Sequence, residues 1–523
     1  MSEVVPAERR KLRSLDAAHV LVLVLLSLLM VGFRILLVDI HPADEIYYLC
    51  RGRWLLEGRW WHLEPAWGPV YSICYGVLDL LTVNGLQAMD FMVGLRVIGS
   101  TLALYWVFRA LTGPGWAFAF AVVWLTGPCV TDLDRIWGTP RIGVFVFCAG
   151  LAFVALGCFL RRRTRWGLLV TALLPLCRPE WALAIPVLAL LWWRRSRSGQ
   201  HGRRAAILAL AASLAALAFL AGPGNRARSW WAFRQHYAML AAQRDPGPVP
   251  PGTDPFAEPD AIMRHDFGDA GSIPAAAVAA PGHFLAHLGH NLSALPEAFA
   301  TAFLSPFGGS TYVRIATLIA FGLLLDFAFR RRRREVGRQD PFHWAMAFAI
   351  SCTVAILSAL LIQARSELLL PAAPLLYLML ASGAPRKAVP VGRWEELLAC
   401  GFVVMLLGTT GFVGHFPPRS DRTAVVVLAS PEGPRSGRLL GTNPEPYRDL
   451  LDLEDVTPLR FAELGVDADA TDEALDRALE LARPAWLLVT RDRGEIAAER
   501  ILTRGEWTLV REERWVRLFR RGP

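Results

Sequence analysis

Apolar runs long enough to cross a bilayer recur between Val20 and Phe416, separated by arginine clusters and short polar turns. The first run, Val20 to Ile40, follows the basic start Arg9-Arg10-Lys11-Leu12-Arg13. Flanking Arg and Lys mark the cytoplasmic side, so this helix leads outward and 41–68 forms an outer loop. The same rule puts Arg161-Arg162-Arg163, the arginines of 194–204 and those of 330–334 inside. Working back from Arg161, a helix over Arg141–Leu160 begins outside, so the turn 131–140 shares a side with the first outer loop. Trp116–Val130 rises from an inner turn at Gly113-Pro114-Gly115, and Phe91–Val107 descends to that turn. Parity then leaves Val70–Val83 with no net crossing, as a re-entrant or interface-lying helix. Trp166–Trp193 starts and ends at inner clusters and is broken by Pro175 and Pro179, which predicts two short helices meeting near Arg178. Ala205–Ala221 leads out to a long outer loop, 222–310, in which Leu292–Phe307 rests on the interface. Thr311–Phe329, Trp344–Ile362, Leu368–Leu380 and Leu397–Phe416 then alternate in, out, in and out.

The predicted fold class is an all-α polytopic membrane protein of about 11–13 transmembrane or re-entrant helices, followed by a small α/β domain outside the cytoplasm. Its divisions are a cytoplasmic tail over 1–17, a membrane domain over 18–416 and an outer domain over 417–523. In the last of these, Ala424–Ala429 reads as a strand, Asp472–Leu481 as a helix, Ala485–Thr490 as a strand and Trp507–Phe519 as a strand pair. Composition agrees: 54% of residues are hydrophobic and only 19% charged, too few to surface a soluble chain of 523 residues. The net charge of +9 comes almost wholly from arginine, Lys11 and Lys387 being the only lysines. The basic clusters sit between apolar runs and act as topology signals, which argues against nucleic acid as a partner. The arginine bias suits a GC-rich genome and points to a bacterial inner (plasma) membrane. All eight cysteines except Cys50 lie in apolar segments and no CxxC pair occurs, so neither a disulfide framework nor a cysteine metal site is expected.

The first outer loop holds the densest chemistry: His41-Pro42-Ala43-Asp44-Glu45-Ile46-Tyr47-Tyr48. A carboxylate just beyond a membrane helix is poorly solvated and suited to take a proton from an acceptor hydroxyl or amine. The plainer reading is a solvated loop acid. The second outer loop adds Asp132 and Asp134, followed by Arg135 and Arg141. Arg34, Arg96, Arg141, Arg314 and Arg365 fall near the outer ends of helices, with Arg178 at the helix break. Intramembrane charge is costly and usually faces a cavity and a partner, so these guanidinium groups could hold a lipid phosphate. Snorkelling toward headgroups explains any one of them alone. Arg178-Pro179-Glu180 and Arg365-Ser366-Glu367 are harder to explain that way, since each puts paired charge between apolar halves.

These features resemble the GT-C membrane glycosyltransferases, which include protein mannosyltransferases and lipid A aminoarabinose transferases. The resemblance rests on Asp44-Glu45 after the first helix, Gly68-Pro69-Val70-Tyr71, the second acidic loop, Arg178-Pro179-Glu180, and Arg365 before Leu368-Leu369-Leu370-Pro371. It implies a GT-C-like fold, a polyprenyl-phosphate sugar donor and inverting transfer outside the cytoplasm to a lipid, glycan or protein acceptor. By the same resemblance Asp44 is the base and Glu45 supports it. Asp132 or Asp134 would bind the acceptor or order the site, and Arg365 would hold donor phosphate. Tyr47, Arg141, Arg178, Glu180 and Glu367 complete the candidate substrate contacts. The segment from Trp60 to Pro69 departs from the family pattern and leaves the acceptor type open.

His283, His287 and His290 are spaced to share one helix face and are candidate ligands for a divalent metal ion, with an interfacial helix turning polar residues to water as the alternative. No other cofactor is implied. Two further functions compete: a transporter or flippase of a lipid-linked or anionic substrate, using the buried charges as a path, and a scaffold presenting the 417–523 domain.

Overall fold

The computed structural model describes residues 6–40, 44–59, 68–127, 130, 142–161, 163–196, 202–244, 255–256, 258–303, 358–372, 420–441, 444–451, 453, 455–461, 472–490, 495–504, 507–513 and 516–522. The expected helices Thr311–Phe329 and Leu397–Phe416, and most of Trp344–Ile362 and Leu368–Leu380, lie outside these residues. The 131–140 turn does too.

The helical part begins with α1 (Pro6–Leu37), α2 (Asp44–Leu56), α3 (Pro69–Leu81), α4 (Gly85–Arg109) and α5 (Pro114–Leu125). It continues with α6 (Val144–Leu160), α7 (Thr164–Cys177), a 3-10 turn (Pro179–Leu183), α8 (Ala184–Ser196) and α9 (Gly202–Ala221). Then come α10 (Pro223–Arg244), α11 (Asp260–Phe267), α12 (Ile273–Ala279), α13 (Pro281–Phe303) and a second 3-10 turn (Ser366–Ala372). Leu15–Leu37 and Gly85–Arg109 are the described segments long and apolar enough to cross a membrane. At 1.5 Å per residue the 25 residues of α4 span about 37 Å, more than a hydrocarbon core.

Ion pairs at both ends make α1 and α4 antiparallel. At one end Asp16 of α1 accepts from Arg109 of α4 at 2.6 and 3.1 Å and from the Tyr105 hydroxyl at 2.8 Å. At the other end, Asp39 just beyond α1 and Asp90 near the start of α4 both engage Arg422. The direction expected for Phe91–Val107 relative to the first helix therefore holds. So does the helix break: α7 ends at Cys177, and the chain turns at Arg178 into Pro179–Leu183.

Neither α2 nor α3, at 13 residues each, is long enough to cross, in keeping with the expected lack of a net crossing by Val70–Val83. They pack side by side in the same direction, Tyr48 against Tyr71 at one end and Arg53 against Asp79 at the other, and their backbones touch at Gly52 and Gly76. A Cβ on Gly52 would overlap the Ser72 carbonyl oxygen and the Gly76 backbone, atoms that cannot swing aside. Gly68 is needed for a similar reason, since a Cβ there would overlap the Leu176 and Cys177 carbonyls at the end of α7. The polar stretch after Gly222 is not a bare loop. It folds as α10–α13, and α13 absorbs the start of the segment placed on the interface.

The C-terminal part contains α14 (Ser420–Leu428), β1 (Gly437–Gly441), α15 (Glu445–Leu451), β2 (Val456–Arg460), α16 (Asp472–Ala482), β3 (Trp486–Thr490), α17 (Glu495–Leu502), β4 (Trp507–Glu513) and β5 (Val516–Arg521). Its sheet runs β2-β1-β3-β5-β4, parallel in the first three strands and antiparallel in the last two. The α/β character, the 472–481 helix, the 485–490 strand and the final strand pair are as expected. Ala424–Ala429 is not a strand: it lies mainly in α14. The β-branched run Val425-Val426-Val427 favours a strand locally, but a tertiary cap overrides it. The Asp39 carboxylate accepts the Asp421 and Arg422 backbone N–H groups at 2.9 Å each, supplying the N-cap for α14 from another part of the chain.

Replacing Gly52 by Ala should lower stability by about 1–3 kcal/mol, the usual cost of overpacking a tight contact. A thermal or denaturant unfolding midpoint in detergent, compared with wild type, checks this.

Candidate active site

Asp44 and Glu45 open α2, and adjacent positions on a helix point about 100° apart, so the neighbours take different environments. Glu45 turns inward and is 4% exposed. Its carboxylate accepts the Gly143 backbone N–H at 2.6 Å and the Tyr71 hydroxyl at 3.1 Å, as well as the Tyr75 hydroxyl. Arg96 of α4 lies 3.5 Å away. The arrangement needs a glycine at 143, because a Cβ there would overlap the Arg96 guanidinium. Arg96 is therefore not an outer-end cation but a mid-helix partner of Glu45. One buried carboxylate thus joins α2, α3, α4 and the turn before α6.

Asp44 is half-buried and lies near Tyr48 and Arg228, with Arg178 next to Tyr48. Its charge acts on Tyr48 and on Arg228 of α10, and Arg178 also interacts with Tyr48. Burial pushes the Tyr48 phenol up to about 12, with the charges of Arg178 and Arg228 pulling against it. Arg178 is 8% exposed, donates to Glu180 at 2.7 Å and lies over the Phe145 ring at 4.5 Å. An acid, two guanidinium groups and a phenol therefore share one polar corner at the helix break. Tyr47, on the opposite side of α2 from Glu45's network, is 40% exposed and sits beside Arg51.

Arg365 and Glu367 pair at 2.6 Å at the start of the second 3-10 turn, Glu367 buried and Arg365 half-buried. Their charges act on His236 of α10, eight residues beyond Arg228, so α10 links the Arg365 pair to the Asp44 corner. Asp132, Asp134 and Arg141 lie outside the described residues.

The three candidate metal ligands take different environments. His283 and His290 are exposed, whereas His287 is fully buried in a ring cluster with Phe233, Tyr237 and Phe284. A helix face spans enough arc for its edges to see solvent while its centre packs inward, so shared spacing did not bring the imidazoles together. Among the described residues no group of three His, Cys, Asp or Glu side chains could hold a metal ion.

Arg228, Tyr75, Gly143 and His236 were not singled out by sequence reasoning, and Tyr71 entered only as part of the Gly68-Pro69-Val70-Tyr71 segment. Tyr71 and Tyr75 carried a signal, since their spacing of four puts both hydroxyls on one helix face. Arg228 and Gly143 carried none, because both act through contacts distant in sequence.

No protein-family model matches the chain, and no curated protein matches it. Among solved structures, the chain is similar to the oligosaccharyltransferase of Archaeoglobus fulgidus in the apo form, at 12% identity over 94% of this chain and 73% of that chain, with a TM-score of 0.46. It is similar to AglB of the same organism in complex with an inhibitory peptide and a dolichol-phosphate, at 10% identity over 92% and 70%, with a TM-score of 0.45. ArnT from Cupriavidus metallidurans bound to undecaprenyl phosphate is also similar, at 15% identity over 96% and 99%, with a TM-score of 0.41. Oligosaccharyltransferase and ArnT are GT-C glycosyltransferases, the superfamily that the sequence motifs resemble. At this level of likeness the functional reading rests on the site's own residues.

His236 and His287 give the protein a pH dependence. Burial lowers both imidazoles from an ordinary value near 6.5 to about 4, assisted at His236 by Arg365. Between those values the unfolded chain binds protons that the folded chain does not. Stability is therefore complete above pH 6.5 and falls as the pH drops toward 4. Thermal unfolding across that range should show this decline, and His287→Gln should make it shallower.

Proposed function

We propose that this chain is a multi-pass membrane glycosyltransferase that moves a sugar from a polyprenyl-phosphate donor to an acceptor on the extracytoplasmic side, with inversion and with Asp44 as general base. The observation that carries the reading is the meeting of Asp44 with Arg178, Arg228 and Tyr48, fixed from behind by the buried Glu45. Membrane embedding is supported by the lipid-like exposure of α1, where Leu21, Leu25, Leu28 and Leu36 are each more than half exposed. Ile207, Leu208, Leu210 and Leu214 of α9 are exposed in the same way. Apolar surface of that extent on long helices suits acyl chains rather than water. The orientation follows the arginine clusters, with the N-terminus cytoplasmic and the C-terminal domain outside.

In the reaction, an acceptor hydroxyl or amine attacks the anomeric carbon from the face opposite the phosphate. Asp44 takes the acceptor's proton as the new bond forms. The bond from the anomeric carbon to the phosphate oxygen breaks, and its electron pair leaves with the polyprenyl phosphate. Arg178 and Arg228 are placed to stabilise that anion by charge-assisted hydrogen bonds. Glu180 holds the Arg178 guanidinium in position at 2.7 Å. Glu45 acts through Asp44, by locking the start of α2. The donor class is that implied by the GT-C resemblance, and the sugar and acceptor are read from activity.

Asp44→Asn keeps the shape of the side chain and removes the base. Transfer from polyprenyl-phosphate sugars, followed by mass spectrometry in wild-type and variant membranes, should fall by about 100-fold or more. The unfolding midpoint should not change. Near-normal turnover by the variant would overturn the mechanism.

A further inference from the structure

About 12 Å along α10 from Arg228 begins a group of buried polar atoms that the transfer chemistry does not use. His236 of α10 and His287 and Asn291 of α13 are 9%, 0% and 1% exposed. His287 Nε2 lies 3.2 Å from the Leu361 carbonyl oxygen and 3.1 Å from the Asn291 amide nitrogen, which hold this side of the ring and leave Nδ1 on the other. Asn291 donates its amide N–H to the Leu360 carbonyl at 2.8 Å, leaving Oδ1 as an acceptor. Among the described residues, His287 Nδ1, Asn291 Oδ1 and His236 Nδ1 have no hydrogen-bond partner. Buried polar atoms are nearly always satisfied, and leaving one bare costs free energy. A cluster of such atoms on adjoining side chains points to something that fills it.

Its chemistry narrows the occupant. Asn291 Oδ1 accepts, and each bare imidazole Nδ1 donates or accepts according to its tautomer, so the occupant must be able both to donate and to accept hydrogen bonds. An ionised carboxylate or a phosphodiester has no hydrogen to donate. A cation is disfavoured by Arg365, whose charge already lowers the proton affinity of His236. An uncharged donor remains, and hydroxyl groups fit. Arg365, which is half-buried, and Phe256, whose ring centre is 5.4 Å from that of His236, adjoin the cluster. Arg228 and His236 are eight residues apart on α10, or about 12 Å. That is too far for the sugar whose anomeric carbon reacts beside Asp44, and it suits a ring further along the acceptor.

We infer that the His236–His287–Asn291 cluster, between α10, α13 and the Ser366–Ala372 turn, is a subsite for the hydroxyl groups of an acceptor that is itself a saccharide. The inference rests on the glycosyltransferase reading, whose acceptor it names by class.

The test uses the full chain in nanodiscs and a panel of neutral methyl pyranosides, hexose and pentose, observed by saturation-transfer NMR. Wild type should bind at least one member saturably, and inorganic phosphate should not displace it. His236→Phe and Asn291→Leu should weaken that binding by about tenfold or more, each worth about one well-made hydrogen bond or better. His236→Gln, which keeps an acceptor, should bind between these limits and guards against a folding artefact, as do unfolding midpoints for all variants. Asp44→Asn should bind the glycoside like wild type. Retained binding with full turnover in Asp44→Asn would sink the base assignment alone. The subsite is overturned if no pyranoside binds wild type, which would leave water as the occupant. It is also overturned if phosphate displaces the glycoside, if the His236 and Asn291 variants bind normally, or if Asp44→Asn abolishes binding.

Discussion

A carboxylate buried among four structural segments is the constraint on which the rest of this molecule depends. Glu45 is costly to bury, and the cost is offset only because Arg96, Tyr71, Tyr75 and the Gly143 N–H all point at it. Those partners come from α4, α3 and the turn before α6. None can move far without leaving a desolvated charge. The start of α2 is thereby pinned, and Asp44, one residue earlier, is pinned with it. Removing one partner of such a pair typically costs about 3–5 kcal/mol, which makes the network an organiser of the site.

The chain between α1 and α2 is held at its other end as well. Asp39 caps α14 of the C-terminal domain, and Arg422 of that helix forks onto Asp90 at 2.6 and 2.9 Å. Arg53 of α2 reaches the Leu450 carbonyl at 3.2 Å while bonded to Asp79 of α3 at 2.5 and 3.1 Å. The C-terminal domain is therefore joined to the same helix ends that carry Asp44. The domain and Asp44 thus share one face of the helical part.

Much of this was legible in the sequence, and the physical reasons are particular. Proline at 175 and 179 broke an apolar run, so the turn at Arg178 could be read. Counting crossings between arginine clusters left α3 without a span, and both α2 and α3 are too short for one. The Asp44-Glu45 pair stood out because acids are rare beside apolar helices. Its division of labour did not, because only the packing of α2 decides which acid faces inward. The strand reading of Ala424–Ala429 failed where a carboxylate 382 positions away in sequence supplied a helix cap. Arg228 lay in a polar helix full of arginines, and nothing local marked it as the one beside Asp44.

The central claim is that Glu45 and Arg96 act as one buried unit that holds the site together. A double-mutant cycle on unfolding, with Glu45→Gln, Arg96→Gln and the pair, measures this directly. The account predicts that each single change is strongly destabilising and that the double variant loses much less than their sum, a coupling on the order of 2 kcal/mol. Additive losses would show that the two residues stand independently, and the basis for a fixed Asp44 would be gone.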